Sequence, residues 1–325
     1  MLQPAPAQHP LRGIALFMLA LMLFASLDAT SKHLSVIFAV PLLVWARYVV
    51  HFLLMLVFVA PSLRSELVRT ANPKLQVVRA LALLATTGCG MAAFRIMPLA
   101  EATSVIFLAP LLVTLLAGPF LGERIGRGRW LAVCIGFGGV LLVVRPGTGL
   151  NLAGILWALG GAVSYAAYQI LTRRLSHAEH PMRLLFYTAL VGTAVMSAAL
   201  PWFWVDAAPS LAQWLLIASL GIYGGLGHLL LIRAFRLAPA STLTPFTYVQ
   251  LVWAALLGWL VFGNVPDAVT GAGMAVIAAS GLWLALGERR TRRPPGRPKD
   301  DAANDMEPRS GEPPSPPFLE RGPGG

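Results

Sequence analysis

Residues Ala93–Pro98 read AFRIMP, and residues Ala234–Pro239 read AFRLAP, 141 positions later. The same displacement pairs Thr103 with Thr244, Leu115 and Leu116 with Leu256 and Leu257, and Gly122 with Gly263. It holds upstream as well: Gly13-Ile14 matches Gly154-Ile155, Ala25 matches Ala166, and Leu34-Ser35 matches Leu175-Ser176. Isolated Leu and Ala matches are cheap in an apolar chain, but one constant displacement that also carries AFRxxP is not. An internal duplication therefore constrains the fold before any single element is assigned.

Composition says what was duplicated. The chain is 57% hydrophobic and only 12% charged, with a mean hydropathy of +0.69. A soluble domain carries roughly 25% charged residues, so this much apolar surface calls for a bilayer. Apolar runs near the roughly 17–25 residues that cross a bilayer as helix fall near 13–31, 41–60, 77–97, 102–121, 130–145, 152–172, 183–204, 213–232, 240–262 and 268–287. That predicts ten spans, five per repeat. The breaks between them carry Pro61, Asn72-Pro73, Gly126, Gly128, Pro146-Gly147, Pro209 and Pro266. Arg12 before the first run suggests a secretory signal. A copy of that run at 154–176, inside the chain, argues against cleavage.

Charge supplies an orientation. Counting sides alternately, the N-terminal side receives Arg12, Arg64, Arg69, Lys74, Arg124, Arg127, Arg129, Arg173, Arg174, Arg233, Arg236 and the arginines at 289–293. The other side receives Lys32, Arg95 and Arg145. Basic loops favour the cytoplasm, so both termini are expected there. Five spans is an odd number, so the two repeats must face opposite ways. The turn after the fourth span holds Glu123, Arg124 and Arg127, whereas its copy holds Asn264 and Asp267 and no basic residue. Inverted repeats of this kind mark secondary transporters. Much of the net charge of +11 lies after Gly287, so cytoplasmic anchoring explains the basicity better than nucleic acid does. The reading divides the chain into a lead (1–12), two five-helix repeats (13–146 and 152–287) and a tail (288–325) whose Pro-rich, apolar-poor composition predicts disorder. The arginines that open the tail can touch anionic lipid headgroups.

Several stretches resemble the drug/metabolite transporter superfamily, in its ten-helix form built from two EamA domains. They are FASLDATSKHLS (Phe24–Ser35), Arg47 in the second span, the small-residue stretch around Pro110, LGERI (Leu121–Ile125) and TPFTYVQLVWAALLGWLVFGNVPD (Thr244–Asp267). The resemblance covers roughly residues 12–287. It implies an all-α polytopic membrane protein of ten transmembrane helices, arranged as two inverted five-helix repeats in a bacterial inner membrane. It also implies transport, often export, of small amphipathic metabolites such as amino acids, vitamins, nucleosides or drug-like compounds. The second repeat departs from the pattern at Asn264, where many members carry Glu.

Polar groups inside spans are the candidate site, because each is expensive in lipid. Asp28 and Lys32 are four apart, on one helical face, and read equally as an ion pair or as a coupling site. Arg47 and His51 share the same spacing on the second span. Arg47 stays charged and needs a carboxylate or carbonyls; His51, like His228, reads as a proton site or a neutral packing residue. Tyr165, Tyr168, Gln169 and Thr172 form a stripe suited to a cavity wall or to an interhelical hydrogen-bond seam. The ninth span offers Thr244, Tyr248, Gln250 and Trp253 as substrate contacts. Glu101 is placed to cap its helix or to gate. Cys89 and Cys134 lack metal-ligand spacing, and no hydrolase, P-loop or metalloprotease pattern is present. No enzyme activity, cofactor or metal is expected. A scaffold protein without transport and an uptake permease of the same fold remain as alternatives. A single chain holds both repeats, and a homodimer stays open.

Overall fold

The structure is a computed structural model that describes residues 10–121, 126–145, 149–175, 178–203, 209–238 and 240–291. The lead, the tail and most of the LGERI motif lie outside the described residues. Within them every regular element is a helix: α1 (Pro10–Ser35), α2 (Val40–Phe58), α3 (Ala60–Leu63), α4 (Pro73–Ile96), α5 (Leu99–Ile106), α6 (Ala109–Leu121), α7 (Arg127–Val144), α8 (Leu152–Leu175), α9 (Pro181–Ala199), α10 (Leu211–Leu237), α11 (Ala240–Leu243), α12 (Val249–Phe262) and α13 (Ala268–Thr291). Short 3-10 turns join some of them.

Helix boundaries follow local chemistry. Pro41, Pro73 and Pro181 open α2, α4 and α9 from first-turn positions, where the missing N–H has no intrahelical partner to lose. Ser210 and Gln213 close a reciprocal capping box at the start of α10, satisfying two otherwise unpaired donors. At the end of α12, Gly263 turns left-handed with φ 70°. Its N–H reaches Trp259 O, and that of Asn264 reaches Gly258 O at 3.0 Å, a left-handed (αL) stop that places Asn264 just past the helix.

Seven of the helical segments are long and apolar enough to cross a membrane. Among the described residues three more apolar segments, Trp130–Val144, Phe246–Phe262 and Ala268–Leu284, are shorter, so a strict count of ten spans is not established by length. The fourth expected span is broken into α5 and α6. Pro110 lacks the N–H that would bond Ile106, and its ring crowds that carbonyl, so α5 stops at Ile106 and α6 starts at Ala109. The ninth is broken likewise, with α11 and a 3-10 turn (Thr244–Tyr248) before α12 and Pro245 inside the turn.

Packing follows the 141-residue displacement. Helix α1 lies along α10, and its counterpart α8 lies along α4. A Cβ at Gly13 would stand 2.7 Å from the Ala238 Cβ, and one at Gly154 would stand 2.5 Å from the Met97 Cγ. Both glycine and neighbour are displacement partners (13 to 154, 97 to 238), so each repeat makes the same close approach. Counterpart helices also pack on one another, in antiparallel sense. Along α2 and α9, Trp45 meets Ser197, Tyr48 meets Gly192 and Phe52 meets Phe186. Along α7 and α13, the carbonyls and Cα positions of Gly139 and Gly273 face each other at distances no Cβ could share. Counterparts that run antiparallel through a shared contact are what an inverted repeat requires.

Candidate functional site

The interior of the bundle holds a chain of polar side chains. Gln250, the second residue of α12, donates from Nε2 to Asp28 Oδ2 on α1 at 3.4 Å. This bond links the opening helix of the first repeat to the broken span of the second. Asp28 also lies within electrostatic reach of Arg47 and Tyr165. Arg47 donates from Nη1 to Thr87 Oγ1 on α4 at 3.1 Å, and its guanidinium stands 5.9 Å from the Tyr48 ring. It lies across Gly224, where a Cβ would come within 3.5 Å of its Nε. Thr87 is shared: Tyr48 Oη stands 3.1 Å from it, and Thr87 Oγ1 donates back to Leu83 O at 3.0 Å.

Beside this group the His51 and His228 rings stack 6.2 Å apart at 13°, with Phe24 edge-on to His228. On α8, Tyr165 and Tyr168 stack at 5.9 Å, and Gln169 lies one turn from Tyr165. Asp28, Arg47, Tyr165, Gln169 and Gln250 are only half-buried, although Asp28, Arg47 and Gln250 bond inward to other helices.

Other expected residues go elsewhere. Lys32 does not bond Asp28. Its ammonium donates to Phe94 O at 2.9 Å and Met97 O at 2.6 Å, and it stands 5.3 Å from the Phe262 ring. Those carbonyls close the C-terminal turn of α4, where unpaired acceptors and the helix dipole favour a cation. Glu101 sits in the first turn of α5, the end that favours negative charge, with Lys32 in reach. Tyr248 packs edge-on to Phe107 and against Gly281 of α13. Trp253 packs with the Phe17 and Leu243 cluster, its Nε1 buried and without a partner. Only the backbone of Thr244 is described.

Arg79, on α4, is not among the sequence candidates, yet it is the largest fully buried side chain described, 1% exposed. It donates to Thr172 Oγ1 at 3.3 Å, to Thr188 Oγ1 at 2.8 Å and to Leu184 O. Its guanidinium lies 5.1 Å from the Tyr168 ring. In the sequence it lies near the start of the third apolar run, 77–97. Its only signal is Gln76, three residues earlier and on the same face of α4.

Outside the spans, the α8–α9 loop carries its own network. Glu179 accepts from Arg183 at 2.5 Å and from Thr70, while Arg183 Nε reaches Glu66 O at 2.7 Å. Burial opposes the charge on Glu179, but the bonds from Arg183 and Thr70 outweigh it and hold the carboxyl below the usual range. At the opposite end, Asp267 caps α13 through Thr270 N at 2.7 Å and pairs with Arg145. Among the described residues no group of three or more His, Cys, Asp and Glu could hold a metal ion.

Comparison with known proteins gives this architecture relatives. The signature described as the EamA-like transporter family matches residues 11–145 and again 152–286, the second match displaced by the same 141 residues. An "S-adenosylmethionine uptake transporter" of Rickettsia bellii is 28% identical over 278 residues, 86% of this chain and 94% of that one. A "Riboflavin transporter" of Vibrio cholerae is 27% identical, covering 88% and 96%. A "Pseudopaline exporter CntI" of Pseudomonas aeruginosa is 30% identical, covering 84% and 95%. A solved crystal structure superposes with a TM-score of 0.62 at 21% identity, covering 86% of this chain and 99% of that one; this likeness concerns the fold alone.

Proposed function

The chain belongs to the EamA-like transporter family, and from that premise we propose that it carries a small amphipathic metabolite across a bacterial inner membrane by alternating access, with export as the direction. It is a multi-pass membrane protein whose relatives are named as transporters, not enzymes. In the proposed arrangement, two inverted five-helix halves (13–146 and 152–287) place both termini in the cytoplasm. The halves rock about the cleft walled by Asp28, Arg47, Tyr165, Gln169 and Gln250. His51 and His228 stand beside it, and Lys32 and Glu101 act at its outer end.

The observation that supports this reading best is the Asp28–Gln250 bond. A carboxylate within a membrane-spanning helix is costly and is retained where it serves a route. Here it bridges the two halves beside a broken span, and broken spans at corresponding positions of two repeats are where transporters place their substrates. Uptake is the second reading, favoured by the Rickettsia relatives named as uptake transporters.

The test is solute flux in reconstituted vesicles, with and without a pH gradient. The panel of amphipathic metabolites begins with S-adenosylmethionine and riboflavin. Wild-type protein is expected to move at least one of them. Asp28→Asn removes a charged hydrogen-bond partner worth about 1.5–3 kcal/mol, which corresponds to a roughly 10–100-fold slower flux. Absence of flux for every solute would sink the transport reading. Reporter fusions at Gly126 and Asn264 are expected on opposite faces of the membrane, and the same face for both would sink the inverted halves.

A further inference from the structure

Arg79 is a permanently charged group with no carboxylate among its hydrogen-bond partners in the described residues. Among the described residues its recorded partners are two threonine hydroxyls, one carbonyl and a tyrosine face. Glu179, the acid on the adjoining α8–α9 loop, is committed to Arg183 and Thr70. Of the five N–H groups on a guanidinium, three are used, and Nε is buried with no partner. Gln76 lies one turn earlier on the same face of α4. It is 0% exposed, and neither its Nε2 nor its Oε1 has a partner. Buried polar groups in native proteins are nearly always paired. Two neighbours left unpaired together, one of them a cation fixed by three bonds, form a preorganised site lacking its counterpart.

Resting on the transport reading above, we propose that Arg79 and Gln76 recognise an anionic oxygen group of the transported solute, a carboxylate or a phosphate ester. The anion supplies the charge that Arg79 lacks. The Gln76 amide, able both to donate and to accept, reads a hydrogen-bonding group next to that anion. Thr172, Leu184 and Thr188 hold the guanidinium in place, and the Tyr168 ring covers one face. The site ties α4 to α8 and α9, so filling it couples anion capture to the packing of helices from both repeats.

The experiment is thermal unfolding of the purified full-length chain in detergent. Sodium lactate, sodium phosphate and sodium chloride are compared at matched ionic strength. Lactate or phosphate is expected to raise the melting temperature saturably above chloride; the stronger of the two identifies the group as a carboxylate or a phosphate ester. Gln76→Leu deletes a buried unpaired amide, so it is expected to fold at least as stably as wild type. It should need about tenfold more of the same anion for half the shift. Arg79→Lys keeps a charge but loses the planar fork, and its saturable shift should vanish. Should that variant fail to fold, Gln76→Leu decides alone. A wild-type response no greater than that to chloride overturns the proposal, as does an unchanged anion dependence in Gln76→Leu. Binding is read here without flux: a saturable shift in a protein that moves nothing would indict the transport reading and leave this site standing.

Discussion

The α4–α9 and α2–α10 interfaces are displacement partners, and their difference is instructive. Where α4 presents Arg79 to Thr188 of α9, the equivalent positions are Leu220 on α10 and Arg47 on α2. Each interface holds one arginine, contributed from opposite sides. Arg79 is fully buried among neutral partners, whereas Arg47 is half-buried with Asp28 in reach. Backbone packing has stayed symmetric, because Gly13 and Gly154 still make equivalent contacts. Chemistry has not. A duplicated scaffold keeps its packing contacts, while each half is free to recruit its own charge.

The largest test of that contrast is the pair Arg79→Ala and Arg47→Ala. Losing three charged hydrogen bonds at about 1.5–3 kcal/mol each, offset by relief of a buried charge, should cost the first about 3 kcal/mol of unfolding free energy. Arg47→Ala, with one such bond in a half-open site, should cost roughly 1 kcal/mol. Denaturant titration of the purified variants measures both, and equal losses would erase the asymmetry.

A smaller effect tests the symmetric part. Gly13→Leu and Gly154→Leu each force a side chain into a filled contact, at about 1–3 kcal/mol. The two melting temperatures should fall together, and a loss at one site alone would break the equivalence.

The smallest expected effect concerns pH. Glu179 has its carboxyl held below the ordinary value, so its contribution is complete above the unfolded value near 4.5 and is lost as pH falls through the lower folded value. Its displacement partner is Phe38, a buried apolar residue that cannot titrate. Glu179→Gln should therefore flatten part of the acid limb of stability and cost about 1 kcal/mol at neutral pH, while Phe38→Leu leaves the limb unchanged. Melting curves from pH 3 to 7 separate the two.

Much of the architecture was legible in the sequence. The 141-residue displacement and the apolar runs describe what the structure shows for α1–α10 and α4–α8, whereas the breaks inside the fourth and ninth spans emerged only in the structure. Asp28, Arg47, His51, Tyr165, Gln250 and His228 converge as polar residues on apolar helices should. Lys32 and Arg79 did not declare themselves. Lys32 looked like the partner of Asp28 four residues away, but the unpaired carbonyls at the end of α4 offered it three-dimensional neighbours that spacing along α1 cannot reveal. Arg79, inside the third apolar run, was not among the candidates, since sequence does not say which way a helix is rotated.

By itself the sequence determined that this chain is duplicated, helical and built for a membrane, because periodicity, span length and proline breaks act locally and are written in consecutive residues. Only the tertiary structure decided which polar groups meet. Asp28 and Gln250 are 222 positions apart, and Arg79 and Thr188 are 109 apart. Partners at such separations are chosen by how helices rotate and pack against one another, a property of the assembled bundle that no single stretch of the chain carries.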